Sequence, residues 1–437
     1  MKHSILIIFL FIILFLYTST GDARVYIDIN APVQRQIPVV VFPFKIINHL
    51  QNTHTITSLE KVLQDDIKYS SFFRIITPAS YLVDPKKQGI KKKEIIFSDW
   101  STIGAELIIT TGITVINNKL NIELRLFDVF SKELLLGRQY NVTMAEARKS
   151  IHTFMDEIIK TMTGYPGNFL TKIAFVKSTA GVKNIYQVDF DGYNPTPITN
   201  FKSITLGPSW GKNSNILFYI SYFKGNPDLY LHNLLTGRIY KISGFKGINL
   251  SASWSDKHQM IATSLSKDGY PDIYLMNTNG NIISRLTRSN SIDISPTWSP
   301  DGKKIAFVSD RGGNPNIYTM NSNGQNVRRL TFEGTYNTSP DWSPKGDNIV
   351  FTGRDNLGYF QIYTIRPDGS GLCQITFNSA DNEEPSWSPD GRFIVYSSTI
   401  EGKSGIYIML FNGTGRRKLI NLNGEQTYPV WSPRLDM

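Results

Sequence analysis

At 437 residues, 41% hydrophobic and 19% charged, the chain is long enough for two domains and too mixed in composition for extended disorder. Its single cysteine, Cys373, excludes an intramolecular disulfide, so the fold must be held by its core. A formal net charge of +10 suits nucleic acid, anionic lipid or acidic protein surfaces, and for an exported chain nucleic acid is the least expected of these.

Residues 1–23 read as a secretory signal peptide. Lys2 supplies the positive start, Ile5 to Leu16 is an unbroken apolar run, and Thr18-Ser19-Thr20 follows. Gly21 and Ala23 then place small residues at the −3 and −1 positions of a cleavage site. The apolar run is shorter than the roughly 20 residues that span a bilayer; an uncleaved anchor is the alternative. The mature chain is expected to begin at Arg24 and to act outside the cytoplasm.

From Arg24 to residue 163 the pattern is that of a small α/β layer structure. Arg24–Val33 forms an arm with Val25, Ile27 and Ile29 in alternation, ahead of a first strong strand at Pro38–Phe42. Thr57-x-x-Glu60 reads as a capping box opening a helix with Leu59, Val62, Leu63 and Ile67 on one face. Phe73–Ile76 and Leu107–Thr111 read as strands. Asn117-Asn118 turns a hairpin into Leu120, Ile122, Leu124 and Leu126, whose period of two marks a half-buried strand. Met144, Ala147, Ile151, Phe154, Ile158 and Met162 form the apolar face of a second helix. Gly164-Tyr165-Pro166-Gly167 breaks it, so 24–163 is assigned to the first domain, 164–171 to a linker and 172–437 to the second domain.

The second domain is a repeat. Tryptophans stand at 210, 254, 298, 342, 387 and 431, spaced 44, 44, 44, 45 and 44, and tyrosines at 186, 230, 274, 318, 363 and 407 keep the same spacings. Within a unit, Asp301-Gly302 and Asn323-Gly324 supply the positive φ of tight hairpin turns, and Ile305–Val308 and Ile317–Met320 are of strand length. Four such runs per unit predict a four-stranded antiparallel blade, with the Trp and Tyr residues packed between blades. The array opens at Lys172-Ile173-Ala174-Phe175-Val176 with no Trp strand before it, and closes on Trp431 with no partner strands after it. The two halves predict a six-bladed β-propeller whose terminal strand completes the blade begun at Lys172, leaving no open edge.

The sequence contains no Gly-x-Ser-x-Gly elbow, no His-Glu-x-x-His and no phosphate loop, and its six histidines are scattered. Cys373 lies in an ordinary strand sequence with no histidine beside it. No catalytic residue, cofactor or metal is expected. Two classes of function remain: a non-enzymatic protein-binding adaptor, and a propeller enzyme or small-ligand sensor.

Trp298-Ser299-Pro300-Asp301-Gly302 with Ile305-Ala306-Phe307-Val308-Ser309 and Ile317-Tyr318-Thr319-Met320 resembles the propeller repeat of the TolB family, the periplasmic component of the Tol-Pal system. Arg24–Ile29 with Ile37–Phe44 is similar to that family's N-terminal segment, and Leu124–Val129 to the end of its first domain. Trp210-Gly211-Lys212 and Trp254-Ser255-Asp256 depart from the Pro-Asp-Gly turn. The resemblance implies a periplasmic adaptor, monomeric and peripheral to membranes through its partners. Those partners are a Pal-like outer-membrane lipoprotein and a TolA-like inner-membrane protein, and the role implied is outer-membrane integrity and invagination during division. It also implies that the arm residues Arg24, Val25, Tyr26, Ile27, Asp28 and Ile29 recruit the TolA-like partner by strand addition.

The Pal-like partner is expected at one mouth of the propeller, where the strand carrying each Trp begins. The residues assigned there are Asn249 and Ser251, Asp293 and Ser295, Asn337 and Ser339, then Glu383 and Glu384, read as short polar or acidic side chains on a solvated docking surface.

Overall fold

The computed structural model describes residues 35–48, 53–117 and 119–435; the signal peptide and the arm residues Arg24–Ile29 lie outside them. Packing divides the chain into two compact units, the first running to Thr143 and taking in Glu157–Tyr165, the second made of Met144–Asp156 and Pro166–Met437. No helix among the described residues is long and apolar enough to cross a membrane.

The first unit contains β1 (Ile37–Val41), β2 (Lys45–Ile46), α1 (Thr53–Tyr69), β3 (Phe73–Ile75), α2 (Phe97–Thr102), β4 (Leu107–Ile116), β5 (Lys119–Asp128) and β6 (Leu134–Val142). Its sheet runs β3-β1-β4-β5-β6, with β1 parallel to both neighbours and β4, β5 and β6 an antiparallel meander. The near-continuous apolar run of β1 suits a parallel strand covered on both faces. Val40 and Ile108 face a core with Phe97, Trp100 and Phe127, in which Phe42 and Tyr81 both pack on the Trp100 ring. The expected capping box is corrected: α1 starts at Thr53, and Thr57 and Glu60 lie within it. Its apolar stripe already begins at buried Ile56, and Glu60 Oε1 instead accepts the backbone N–H of Phe44 at 2.6 Å.

A last helix, α3 (Met144–Thr163), carries the division between the units within its length. Its first half belongs with the propeller: His152 packs edge-on against Phe190, and Asp156 Oδ1 accepts the backbone N–H of Phe169 at 2.9 Å.

The propeller has six four-stranded sheets. Five blades follow in chain order and span Thr205–Ser243, Asn249–Arg285, Asp293–Arg329, Asn337–Gln374 and Asn382–Lys418. The sixth, the seam blade, joins β7 (Lys172–Thr179), β8 (Val182–Asp189) and β9 (Thr196–Pro197) to the terminal strand Glu425–Trp431, with Thr427 opposite Val176 and Trp431 opposite Ile173. Second strands such as Lys304–Ser309 are buried from Ile305 onward, as strands sandwiched between neighbouring blades must be. Trp298 and Tyr318 of blade three share one core with Ala262, Ile273 and Leu275 of blade two, so the periodic aromatic residues are interblade packing.

Candidate functional site

In each blade the innermost strand begins where the second strand ends: Asn337 pairs with Gly353, and Trp342 with Ile349. The hairpin between second and third strands, and the loop into the next blade, therefore gather at that same end, the mouth. Every innermost strand carries a bulge there, marked by a register shift. At the bulges, Gly207, Ser251, Ser295, Ser339, Glu384 and Tyr428 adopt φ of 55, 54, 54, 52, 57 and 52°. A left-handed backbone costs a residue with a side chain roughly 1–2 kcal/mol, and the ring of bulges repeats it around the axis. Proline follows in every case but Ala252, and proline has no N–H to lose at a broken rung. The six bulges line one cavity of about 230 Å³ on the axis.

Two residues beyond each bulge stands the residue just before the Trp, and at four of the six its side chain links blades. Ser253 Oγ accepts the backbone N–H of Trp298 at 3.3 Å, Thr297 Oγ1 that of Trp342 at 3.3 Å, Asp341 Oδ2 that of Trp387 at 2.8 Å and Ser386 Oγ that of Trp431 at 3.3 Å. At the seam the equivalent residue is Val430, with no acceptor in its side chain; the Trp210 indole donates to its carbonyl instead, at 3.1 Å. Burial pushes the Asp341 carboxyl up to about 6, against the pull of the Trp387 N–H. Burial likewise pushes Glu384 up to about 7, opposed by the backbone N–H of Tyr428.

Of the residues expected at the mouth, Ser251, Ser295, Ser339 and Glu384 are brought together around this cavity. The solvated placing of Asn249, Asp293 and Asn337 is corrected: they are 0, 0 and 4% exposed. Asn249 and Asp293 tie loops to their own blades, and Asn337 reaches back to blade three. Asn249 bonds Phe245 through both backbone N–H and carbonyl, Asp293 holds Arg311 at 2.8 Å, and Asn337 Nδ2 donates to Asn316 Oδ1 at 3.0 Å. In blade five the equivalent place is taken by buried Asn382, and Glu383 lies beside it, half-buried, its pKa raised by burial and by Asp381.

The sequence reading missed the apolar part of the mouth. Phe332, Leu357 and Phe377 are 73, 78 and 71% exposed and flank blade four on consecutive loops at this end. A signal was present in the spacings, which are 44 except between Trp342 and Trp387 and between Tyr318 and Tyr363. Both intervals contain the blade-four hairpin, where seven residues separate the paired Gly353 and Gln361 and six separate Ser309 and Asn316 in blade three. The extra residue falls in the hairpin that presents Leu357.

A second cavity, of about 480 Å³, lies in the first unit where β1 ends, between Phe42, Phe44, Gln64, Tyr81 and Leu82. Strand order departs to either side of β1 there, the position at which open α/β sheets form crevices.

A small α/β unit and six closed blades with a bulged, polar mouth define a two-unit β-propeller protein. The TolB beta propeller domain matches residues 159–435 and the TolB amino-terminal domain residues 25–135. The chain belongs to the TolB family. It is 41% identical over 239 residues to the Tol-Pal system protein TolB of Desulfosudis oleivorans, covering 54% of each chain. It is 38% identical over 202 residues to that of Syntrophotalea carbinolica, covering 46% of this chain and 47% of the other. These matches span about half the length of the relatives. The crystal structure of TolB from Acinetobacter baumannii superposes with a TM-score of 0.80 at 26% identity, over 94% of this chain and 100% of that one.

Proposed function

We propose that the protein is a periplasmic adaptor of the Tol-Pal system that docks a Pal-like lipoprotein at the propeller mouth and a TolA-like protein through the arm Arg24–Ile29. In this role it supports outer-membrane integrity and constriction during division. The observation that carries the reading is the exposure of Phe332, Leu357 and Phe377 around blade four, beside the polar ring of Ser339 and Glu384. Large apolar side chains clustered at the rim of a polar, preformed concavity are the composition of a docking surface. The two acids of the cavity wall, Asp341 and Glu384, are engaged by backbone N–H groups of the neighbouring blade. Membership of the TolB family supports the same assignment.

The test is capture of the lipoprotein's soluble domain by the mature chain and by a Phe332→Ala, Leu357→Ala, Phe377→Ala triple variant. Truncated contacts of this kind cost upward of about 1–2 kcal/mol each when they are hot spots, so the variant should bind at least a hundredfold more weakly with its Tm preserved. Full binding by the variant would reject the mouth as the docking surface. A second reading, a small-ligand sensor, draws on the crevice beyond β1; a ligand-induced change in Trp100 fluorescence, beneath Phe42 and Tyr81, would favour it.

A further inference from the structure

Six blades of one repeat pose a problem for any partner on the axis. The bulged backbone presents nearly the same surface every sixth of a turn, so backbone shape alone offers a partner six nearly equivalent rotational settings. Side chains break the tie. Lys202, Lys224, Lys246 and Arg288 are exposed on mouth loops that run in succession from β9 through blades one and two, and none has a carboxylate within ion-pair distance among the described residues. The one exposed acid among them, Asp268, is paired with Lys267 at 2.7 Å.

The other half carries the opposite sign. Glu333 leads into blade four, Asp381 and Glu383 into blade five, and Glu425 begins the terminal strand. Glu333 and Glu425 are exposed, while Asp381 and Glu383 are half-buried at the rim. On this half the exposed cations are Arg354, whose Nε is held by the Gly358 carbonyl at 3.0 Å, and Lys403. The apolar residues Phe332, Leu357 and Phe377 fall on the acidic side.

We infer that the mouth is electrostatically polarised so that it holds its partner in one of the six rotational settings. Resting on the docking reading above, the inference specifies the partner's chemistry. It is a folded protein domain with an acidic patch for the Lys202–Arg288 arc and, across from it, a basic patch flanking an apolar one for the arc from Glu333 to Glu425. Fields of this kind act chiefly on encounter rate and orientation, and salt screens them over about 8 Å at physiological ionic strength.

The experiment uses the full mature chain and the soluble domain of the lipoprotein. A photo-cross-linking residue placed at position 224 should capture an acidic segment of the partner, and one at position 333 a different, basic segment. Lys224→Glu with Lys246→Glu should slow association about tenfold at low salt, with the difference shrinking as salt rises. Capture of the same segments from both positions, or association indifferent to the two substitutions, overturns the polarised mouth while leaving docking intact. No binding by the unsubstituted chain overturns the docking reading and the orientation with it.

Discussion

Glu384 Oε2 accepts the backbone N–H of Tyr428 at 2.5 Å, so a carboxyl of blade five is bonded to the terminal strand across the last interface of the ring. Both residues sit at left-handed bulges, with φ of 57 and 52°. The same carboxyl accepts Ser397 Oγ at 3.0 Å, and the Glu384 N–H donates to Thr352 Oγ1 of blade four at 3.0 Å. One side of the mouth is therefore fixed to three successive blades through a single residue.

This linkage makes stability depend on pH. A carboxyl whose folded pKa of about 7 lies above its ordinary 4.5 keeps its proton in the folded state while the unfolded chain loses it. Stability is then fully present below about pH 4.5 and is lost as pH rises to about 7. Asp341, raised to about 6, adds to the lower part of that window. The Glu384 contribution is on the order of 3 kcal/mol. Thermal melts from pH 4.5 to 8 should show Tm falling in the natural protein, and a flatter profile with a higher Tm at pH 8 in Glu384→Gln. An unaltered slope in the variant would place the titration elsewhere.

Asp341 makes a sharper contrast. It joins Thr297 of blade three and the Trp387 N–H of blade five, so its loss leaves a buried donor without an acceptor. Asp341→Ala should cost about 1–3 kcal/mol. Asp341→Asn keeps an acceptor for the Trp387 N–H, and its amide can donate to a Thr297 hydroxyl that turns from donor to acceptor, so it should stay within about 1 kcal/mol at neutral pH. Denaturant melts of the two variants decide the matter; equal losses would mean that the packing of the side chain, and not its bond, is what counts.

Ring closure is the third prediction. Trp431 is 6% exposed and donates its indole N–H to Thr171 Oγ1 at 2.8 Å. Trp431→Ala should cost about 3–5 kcal/mol, a large share of the roughly 5–15 kcal/mol that holds a domain folded. Ending the chain at Gly424 removes the whole strand opposite β7 and should leave little soluble propeller. A truncated chain that melts like the intact one would contradict the seam.

The arm and the signal are tested apart from the folded units. N-terminal sequencing of the exported chain should give Arg24 as its first residue; retention of Met1 on membrane-bound material would contradict export as a cleaved protein. Deleting Arg24–Val33 should abolish binding to the TolA-like protein while the propeller melts as before, and undiminished binding would remove the arm from recognition.

The propeller was legible because its period is carried by buried aromatic residues whose spacing survives drift elsewhere. The seam was legible for the same reason, since Lys172 lacked a preceding Trp strand and Trp431 lacked following strands. The mouth was legible only in part. In a regular strand Asn249 and Ser251, two apart, share one face, and the reading placed them together on the surface. The bulge at Ser251 resets that alternation, turning Ser251 to the axial cavity and leaving Asn249 buried in its blade. The start of α1 was misplaced because Thr57 and Glu60 mimic a cap, whereas the apolar stripe that governs the helix begins one turn earlier at Ile56.

The seam also fixes an order of events. Blades one to five are each built from consecutive hairpins, whereas the seam blade bonds Lys172 to Ser432, 260 positions away. Closing a loop of that length costs about 5 kcal/mol of chain entropy before any contact rewards it, by the logarithmic scaling of loop closure. The local blades can assemble as the polypeptide emerges, but β7 keeps one edge unpaired until the last strand arrives. Where the terminal strand meets blade one, Val430 interrupts the side-chain relay and the Trp210 indole N–H on its carbonyl takes its place, while toward blade five the Tyr428 N–H on Glu384 reinforces it. Three strands of the seam blade precede every other blade in the chain and its fourth follows them all, so the open edge of β7 is the sheet edge left unpaired longest as the ring forms.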